Sequence, residues 1–182
     1  MSAKIIRWQG LRLNEREHLV LTEIDDGFAV ESVFMSGGSE DRFAVQYSFI
    51  LNADWTVREF RSQIVGQTAN KLFLRRDSAG RWNDGVQELA ELTGAVDVDL
   101  SISPFTNTLP IRRLKLSPGQ SADISVAYVA YPDHSVMKDP QRYTCLASGR
   151  YLFESVDSDF KSEILVDDRG LVTTYPDLFA RI

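Results

Sequence analysis

Apolar side chains recur at every second position in run after run of this chain, and turn residues break the runs at short intervals. Phe43, Val45, Tyr47, Phe49 and Leu51 fall on one face of such a run, with Gln46 and Ser48 opposite. Ile124, Val126, Tyr128 and Ala130 alternate with Asp123, Ser125 and Ala127. A strand projects successive side chains to opposite faces, so a period of two is the mark of a half-buried strand. Between the runs stand Asp25-Asp26-Gly27, Asn52-Ala53-Asp54, Asp77-Ser78-Ala79-Gly80, Ser117-Pro118-Gly119 and Asp167-Asp168-Arg169-Gly170. Each supplies residues that turn a chain back on itself.

Strands are predicted over His18–Ile24, Phe28–Met35, Phe43–Leu51, Trp55–Ile64, Leu72–Arg76, Val96–Ser103, Ile124–Ala130, Arg142–Ala147, Arg150–Val156, Phe160–Val166 and Leu171–Tyr175. A further strand starts at Arg81-Trp82. Only Gly85–Gly94 shows helical spacing, through Val86, Leu89 and Leu92, and it is too short to stand as a helix alone. Pro132 and Pro140 bracket an irregular loop that carries His134, and Asp177–Ile182 forms a tail. Many short strands without crossovers predict one all-β domain over residues 1–182. Its antiparallel sheet curves into a barrel, half-barrel or roll, because curling is how a sheet of this size manages its edges.

Charge and cysteine content remove several classes of function. Twenty basic against twenty-six acidic residues give a net charge of -6, with no basic block. Phosphate neutralisation supplies most nucleic-acid affinity, so a nucleic-acid partner is not expected, nor is docking on anionic membranes. No run of apolar residues is long enough for a spanning helix, and the first ten residues lack a secretory signal's apolar core. The single cysteine, Cys145, has no partner for a disulfide and reads as a small buried hydrophobe. Together these features point to the cytoplasm. Two distant histidines, His18 and His134, do not make a metal site or a nucleophile motif. Gly37-Gly38 is too short to cradle a phosphate. No cofactor is expected.

The densest polar chemistry lies in Val96–Leu116, VDVDLSISPFTNTLPIRRLKL. Asp97 and Asp99 share one face of the first strand. Thr106 and Asn107 occupy a short connection after Pro104. Ile111–Leu116 reads as a second extended run that carries Arg112 and Arg113 on opposite faces. Joining the two runs brings two carboxylates and two guanidiniums near each other. The carboxylates serve either as a general acid–base pair or as partners of the arginines. An inward guanidinium needs an anion, from the protein or from a ligand headgroup.

The run Asp97–Leu116 resembles the signature of a bacterial family described as "putative glycolipid-binding", formerly a domain of unknown function. The likeness extends through Trp8, Tyr47 with Asp54-Trp55, Gly80-Arg81-Trp82 with Asp84-Gly85, Gln141-Arg142-Tyr143 and the closing Val166–Arg181. The resemblance implies a curved antiparallel half-barrel, likened to the lipoprotein carriers that hold acyl chains against a concave sheet. It carries over no catalytic residues. The expected function is non-catalytic binding of a glycolipid or similar amphipathic ligand, with Asp97, Asp99, Thr106, Asn107, Arg112 and Arg113 at its headgroup. The alternative is a hydrolase of a glycoside or ester that uses Asp97 or Asp99 as general acid or base. A third reading has the central motif simply lock the sheet.

Overall fold

A computed structural model describes residues 3–38, 42–67 and 71–182. The first half of the chain is a meander of β1 (Ala3–Gly10), β2 (Arg16–Ile24), β3 (Gly27–Met35), β4 (Ala44–Asn52), β5 (Val57–Ile64), β6 (Lys71–Arg76) and the two-residue β7 (Trp82–Asn83). A 3-10 turn at Ala90–Leu92 leads to β8 (Asp97–Leu100). A second one, Pro104–Asn107, runs directly into helix α1 (Thr108–Leu114). The second half is another meander: β9 (Ser121–Ala130), β10 (Ser135–Ala147), β11 (Arg150–Ser155), β12 (Lys161–Val166), β13 (Val172–Tyr175) and β14 (Phe179–Arg181).

All these strands join one sheet, in the order β7-β6-β5-β4-β3-β2-β1-β14-β13-β12-β11-β10-β9-β8. The chain's two ends meet at the sheet's centre, where β1 pairs with β14 through Trp8↔Arg181. Its two edges, β7 and β8, are consecutive in sequence. That connectivity forces the curvature. Laid flat, strands spaced ~4.8 Å apart would put the two edges about 60 Å from each other. The thirteen residues 84–96 that link them reach at most about 50 Å when fully extended. The sheet therefore curls until its edges approach. The Trp82 indole N–H then donates to the Ala95 carbonyl at 2.9 Å, and the Leu89 N–H donates to the Trp82 carbonyl at 2.8 Å.

Alternation fills the concave side. Ile6 and Trp8 from β1, Tyr47 and Phe49 from β4, Phe60 from β5 and Tyr143 from β10 all point inward and are buried. The trough is then largely occupied by the chain's own segment 101–114. Pro104, Phe105, Thr106, Asn107, Thr108 and Leu109 are all buried, and the Phe105 ring lies 6.1 Å from that of Phe49. Gly27 sets the β2–β3 turn close to β4: at φ 155°, a Cβ there would sit 2.0 Å from the Leu51 carbonyl oxygen.

The curved, mostly antiparallel all-β sheet agrees with the sequence, and four local details differ. Ile111–Leu116 is not extended, because Leu114 ends a helix that Ser103 and Pro104 open. Ser103 Oγ accepts the Phe105 N–H, and Pro104 and Pro110 occupy first-turn positions where no N–H is required. Lys115, with φ 50°, closes the helix. A crossover exists after all: β8 and β9 are parallel, joined through this helical segment. The loop expected over 132–140 is largely β10, which pairs with β9 from Ser135. Pro140 is tolerated because its carbonyl, and so its missing N–H, faces the ladder just beyond the end of β11. Lastly, Ala3–Gly10 and Phe179–Arg181 are strands, and Gly85–Gly94 holds only a single 3-10 turn.

Trp82→Phe keeps an aromatic ring but leaves the Ala95 carbonyl without its donor and a small void where the indole's second ring stood. It is expected to cost about 1–3 kcal/mol of unfolding free energy in a urea titration at unchanged m. A change below about 0.5 kcal/mol would show that the edges are held together by other means.

Candidate functional site

Strand β8 delivers two carboxylates to the interior, and the structure treats them differently. Asp97 is fully buried and takes a fork from Arg113, with Nη2 at 2.6 Å from Oδ2 and Nε at 3.2 Å from Oδ1. Burial raises its pKa, and the Arg113 hydrogen bonds pull it part of the way back. The pair is an internal strut with no oxygen free for a ligand. Asp99, two residues on, accepts from Thr106 Oγ1 at 2.7 Å and from Gln141 Nε2 at 2.9 Å. The same Gln141 nitrogen donates to Asp139 Oδ2 at 3.0 Å, so one amide bridges two carboxylates. Asn107 accepts the Tyr143 hydroxyl at 2.8 Å and donates to the Pro104 carbonyl.

Several of these groups border a cavity of about 360 Å³ between the helical segment and strands β8 to β11, β13 and β14. Asp99, Ser103, Asn107, Asp139 and Gln141 supply its polar wall, and Tyr128, Phe153, Phe160 and Tyr175 its aromatic one. The aromatic rings form a chain, with Phe153 and Phe160 5.9 Å apart and Phe160 and Tyr175 6.5 Å apart. Phe160 is 42% exposed and so marks the mouth. Among the described residues, no lysine or arginine lines the space.

The six residues singled out from the sequence therefore divide three ways. Asp99 and Asn107 line the cavity, and Thr106 holds Asp99 in place. Asp97 and Arg113 satisfy each other. Arg112 lies elsewhere, its guanidinium 5.1 Å from the Trp55 ring centre. From helix α1, Arg113 reaches Asp97 and Arg112 reaches Trp55.

A family model described as "Putative glycolipid-binding" matches residues 5–181, almost the whole chain. The chain belongs to this family. Among solved structures it is similar to the crystal structure of a DUF1089 family protein from Pseudomonas aeruginosa, with 37% sequence identity and a TM-score of 0.81. That match covers 91% of this chain and 92% of the other. No curated protein matches.

This glycolipid-binding family member also carries a buried acid that the sequence reading passed over. Glu17, on β2, is 2% exposed. Its carboxyl meets the Ser32 hydroxyl at 2.9 Å, the Tyr47 hydroxyl, and Ser103 Oγ at 2.9 Å from both oxygens. Ser103 lines the cavity, so Glu17 stands directly behind its wall. Burial pushes the Glu17 pKa up to about 7 against the pull of these three hydroxyls. Asp99 is likewise raised to about 6 by burial, with Asp139 adding repulsion and Thr106 and Gln141 opposing. Asp139 itself is raised, by burial first and then by Asp157. A signal for Glu17 existed: it occupies the inward position two residues before Leu19 and four before Leu21, both apolar.

A carboxyl whose pKa is higher in the folded than in the unfolded chain holds its proton more tightly when folded. Stability conferred by protonated Glu17 is present below about pH 4.5 and falls as pH rises toward 7. The loss amounts to about 3 kcal/mol. Glu17→Gln removes this dependence, so its unfolding free energy between pH 5 and 8 should fall less than the wild type's by up to that amount. Parallel curves for the two proteins would mean that Glu17 is not protonated in the folded state. Arg113→Ala strands the Asp97 carboxylate and should cost about 3–5 kcal/mol at pH 7 by the same titration. A cost under about 1 kcal/mol would show that water reaches Asp97 freely.

Proposed function

We propose that this chain is a non-catalytic binding protein for a glycolipid or similar amphiphile, with the sugar seated in the cavity beside Asp99. The observation that carries this reading is the pairing of the cavity's two walls. Asp99, Asn107 and Gln141 offer acceptors and donors at short range, as a polyol requires, and carboxylate acceptors make the stronger hydrogen bonds. Tyr128, Phe153, Phe160 and Tyr175 offer faces to the apolar side of a sugar ring or to the first carbons of a chain. Supporting this, the Gln141 Oε1 is buried and has no partner among the described residues, so one acceptor in the wall is unmet. The family to which the chain belongs bears a description of the same kind.

The volume limits what fits. A space of about 360 Å³ lies at the small end of ligand pockets. It suits a headgroup or a short stretch of chain. The rest of the trough is filled by Phe105, Leu109 and their neighbours, so several acyl chains have no room on the concave face. Hydrocarbon would leave past Phe160.

A hydrolytic reading is favoured by one observation. Asp99 and Asp139 accept from a single nitrogen, so their bonded oxygens lie within about 6 Å of each other, near the spacing of a retaining glycosidase pair. Asp97, bound to Arg113, has no part in it. Asp99→Asn separates the two readings. Native mass spectrometry of the protein incubated with bacterial lipid extract should show a retained glycolipid in the wild type. Asp99→Asn should retain about tenfold less, since one charge-assisted hydrogen bond weakens. Turnover of glycosides or esters by the wild type, abolished in Asp99→Asn, would replace binding by hydrolysis. Retention of no lipid by the wild type would remove the binding reading.

A further inference from the structure

Arg113 has a carboxylate and Arg112 does not. No carboxylate or other hydrogen-bond acceptor meets the Arg112 side chain among the described residues, and its Nε is buried without a partner. A buried charged donor without an acceptor is costly, and proteins rarely leave one so. The side chain is nevertheless held firmly. Its guanidinium lies 5.1 Å from the centre of the Trp55 ring, itself 6% exposed and packed on Phe28 at 4.4 Å. Its stem runs over Gly170, where a Cβ would stand 2.7 Å from Arg112 Cδ. Gly170 has φ 73°, so both the backbone and the space call for glycine at that position.

This arginine borders a pocket of about 330 Å³ that shares no lining residue with the cavity beside Asp99. Lys4 and Arg169 also line it, against one carboxylate, Glu23. Lys4 pairs with Asp167 at 3.3 Å, whereas among the described residues neither guanidinium forms an ion pair. Leu21, Phe28, Trp55 and Leu171 make the rest of the wall apolar. Arginine's planar fork matches phosphate and carboxylate, and stacking on an aromatic ring keeps the fork aimed.

We propose that this pocket is a second binding site, for an oxyanion of the phosphate-monoester type, with Arg112 as its central donor and Arg169 as its second cation. The apolar wall makes an amphiphile with a phosphate headgroup the better fit than the free ion. Arg112 also borders a neighbouring hollow whose lining includes Lys115 but also Asp167 and Asp168, so the anion belongs on the Trp55 side. The site is independent of the sugar cavity, whose acidic wall repels phosphate.

Isothermal titration calorimetry of the full chain tests it with three probes: inorganic phosphate, lauroyl lysophosphatidic acid and, as a neutral control, monolauroylglycerol. The wild type should bind lysophosphatidic acid, with affinity falling as salt rises. Arg112→Met keeps an apolar stem over Gly170 and removes the charge. It should weaken lysophosphatidic acid about tenfold or more and leave monolauroylglycerol unchanged. Asp99→Asn, which alters the other cavity, should leave the affinity for inorganic phosphate and lysophosphatidic acid unchanged, so failure of the sugar site and failure of this one read separately. Inorganic phosphate binding as tightly as the lipid, with the same Arg112 dependence, supports the site with the free ion as its occupant. Should Arg112→Met melt early, Gly170→Ala, which displaces the guanidinium without removing it, takes its place with the same expected loss. Equal affinity of wild type and variant for lysophosphatidic acid, or no binding of either phosphate probe by the wild type, overturns the proposal.

Discussion

Thirteen residues between the two outermost strands set the shape of the whole molecule. Because β7 and β8 are neighbours in the chain but opposite ends of the sheet, no flat arrangement can be connected. The curl buries a continuous apolar face without help from a second layer of helices. It also creates the problem that the rest of the structure solves. A sheet of this width encloses more volume than its inward side chains fill. The chain meets the deficit by sending its own segment 101–114 through the trough, between β8 and β9.

A chain segment in an interior brings backbone and side-chain polar groups with it, and each needs a partner. The hydrogen bonds of this interior follow from that need. Ser103 caps the entering turn and meets Glu17 and Tyr47. Thr106 meets Asp99, Asn107 meets Tyr143, and Arg113 meets Asp97. The three buried or half-buried carboxylates are thus consequences of how the sheet is filled. Their raised pKa values follow first from burial. What the filling leaves over is a residual space whose walls are already polar on one side and aromatic on the other.

The strands were legible in the sequence because a half-buried strand states its own period. Phe43–Leu51 and Ile124–Ala130 appear in the structure within a few residues of where alternation places them. Helix α1 was not legible as such. Seven residues hold too few turns to display a period of 3.6, and Pro110 reads as a breaker unless the helix is known to start just before it. The Ser103-Pro104 pair was the available signal for that start. Parallel pairing of β8 with β9 was hidden for a related reason, since only the unseen helical segment makes the crossover. Of the polar chemistry, Asp99, Thr106 and Asn107 could be found because they cluster in sequence. Glu17, Asp139 and Gln141 reach the same place from distant strands, and only the fold assembles them.

The two adjacent arginines show how much turns on that one helix. In a strand, Arg112 and Arg113 would face opposite sides of the sheet, one inward and one out. On a helix they diverge by about 100°, so both stay half-buried and each meets a different environment. Arg113 falls over Asp97 and becomes part of the scaffold. Arg112 falls over Trp55 and Gly170, where the chain supplies an aromatic face and room for the stem but, among the described residues, no carboxylate bonded to it. A scaffold has no use for a second guanidinium held so firmly without a counterion. The same physical requirement that explains one arginine by its carboxylate leaves the other asking for an anion from outside the chain.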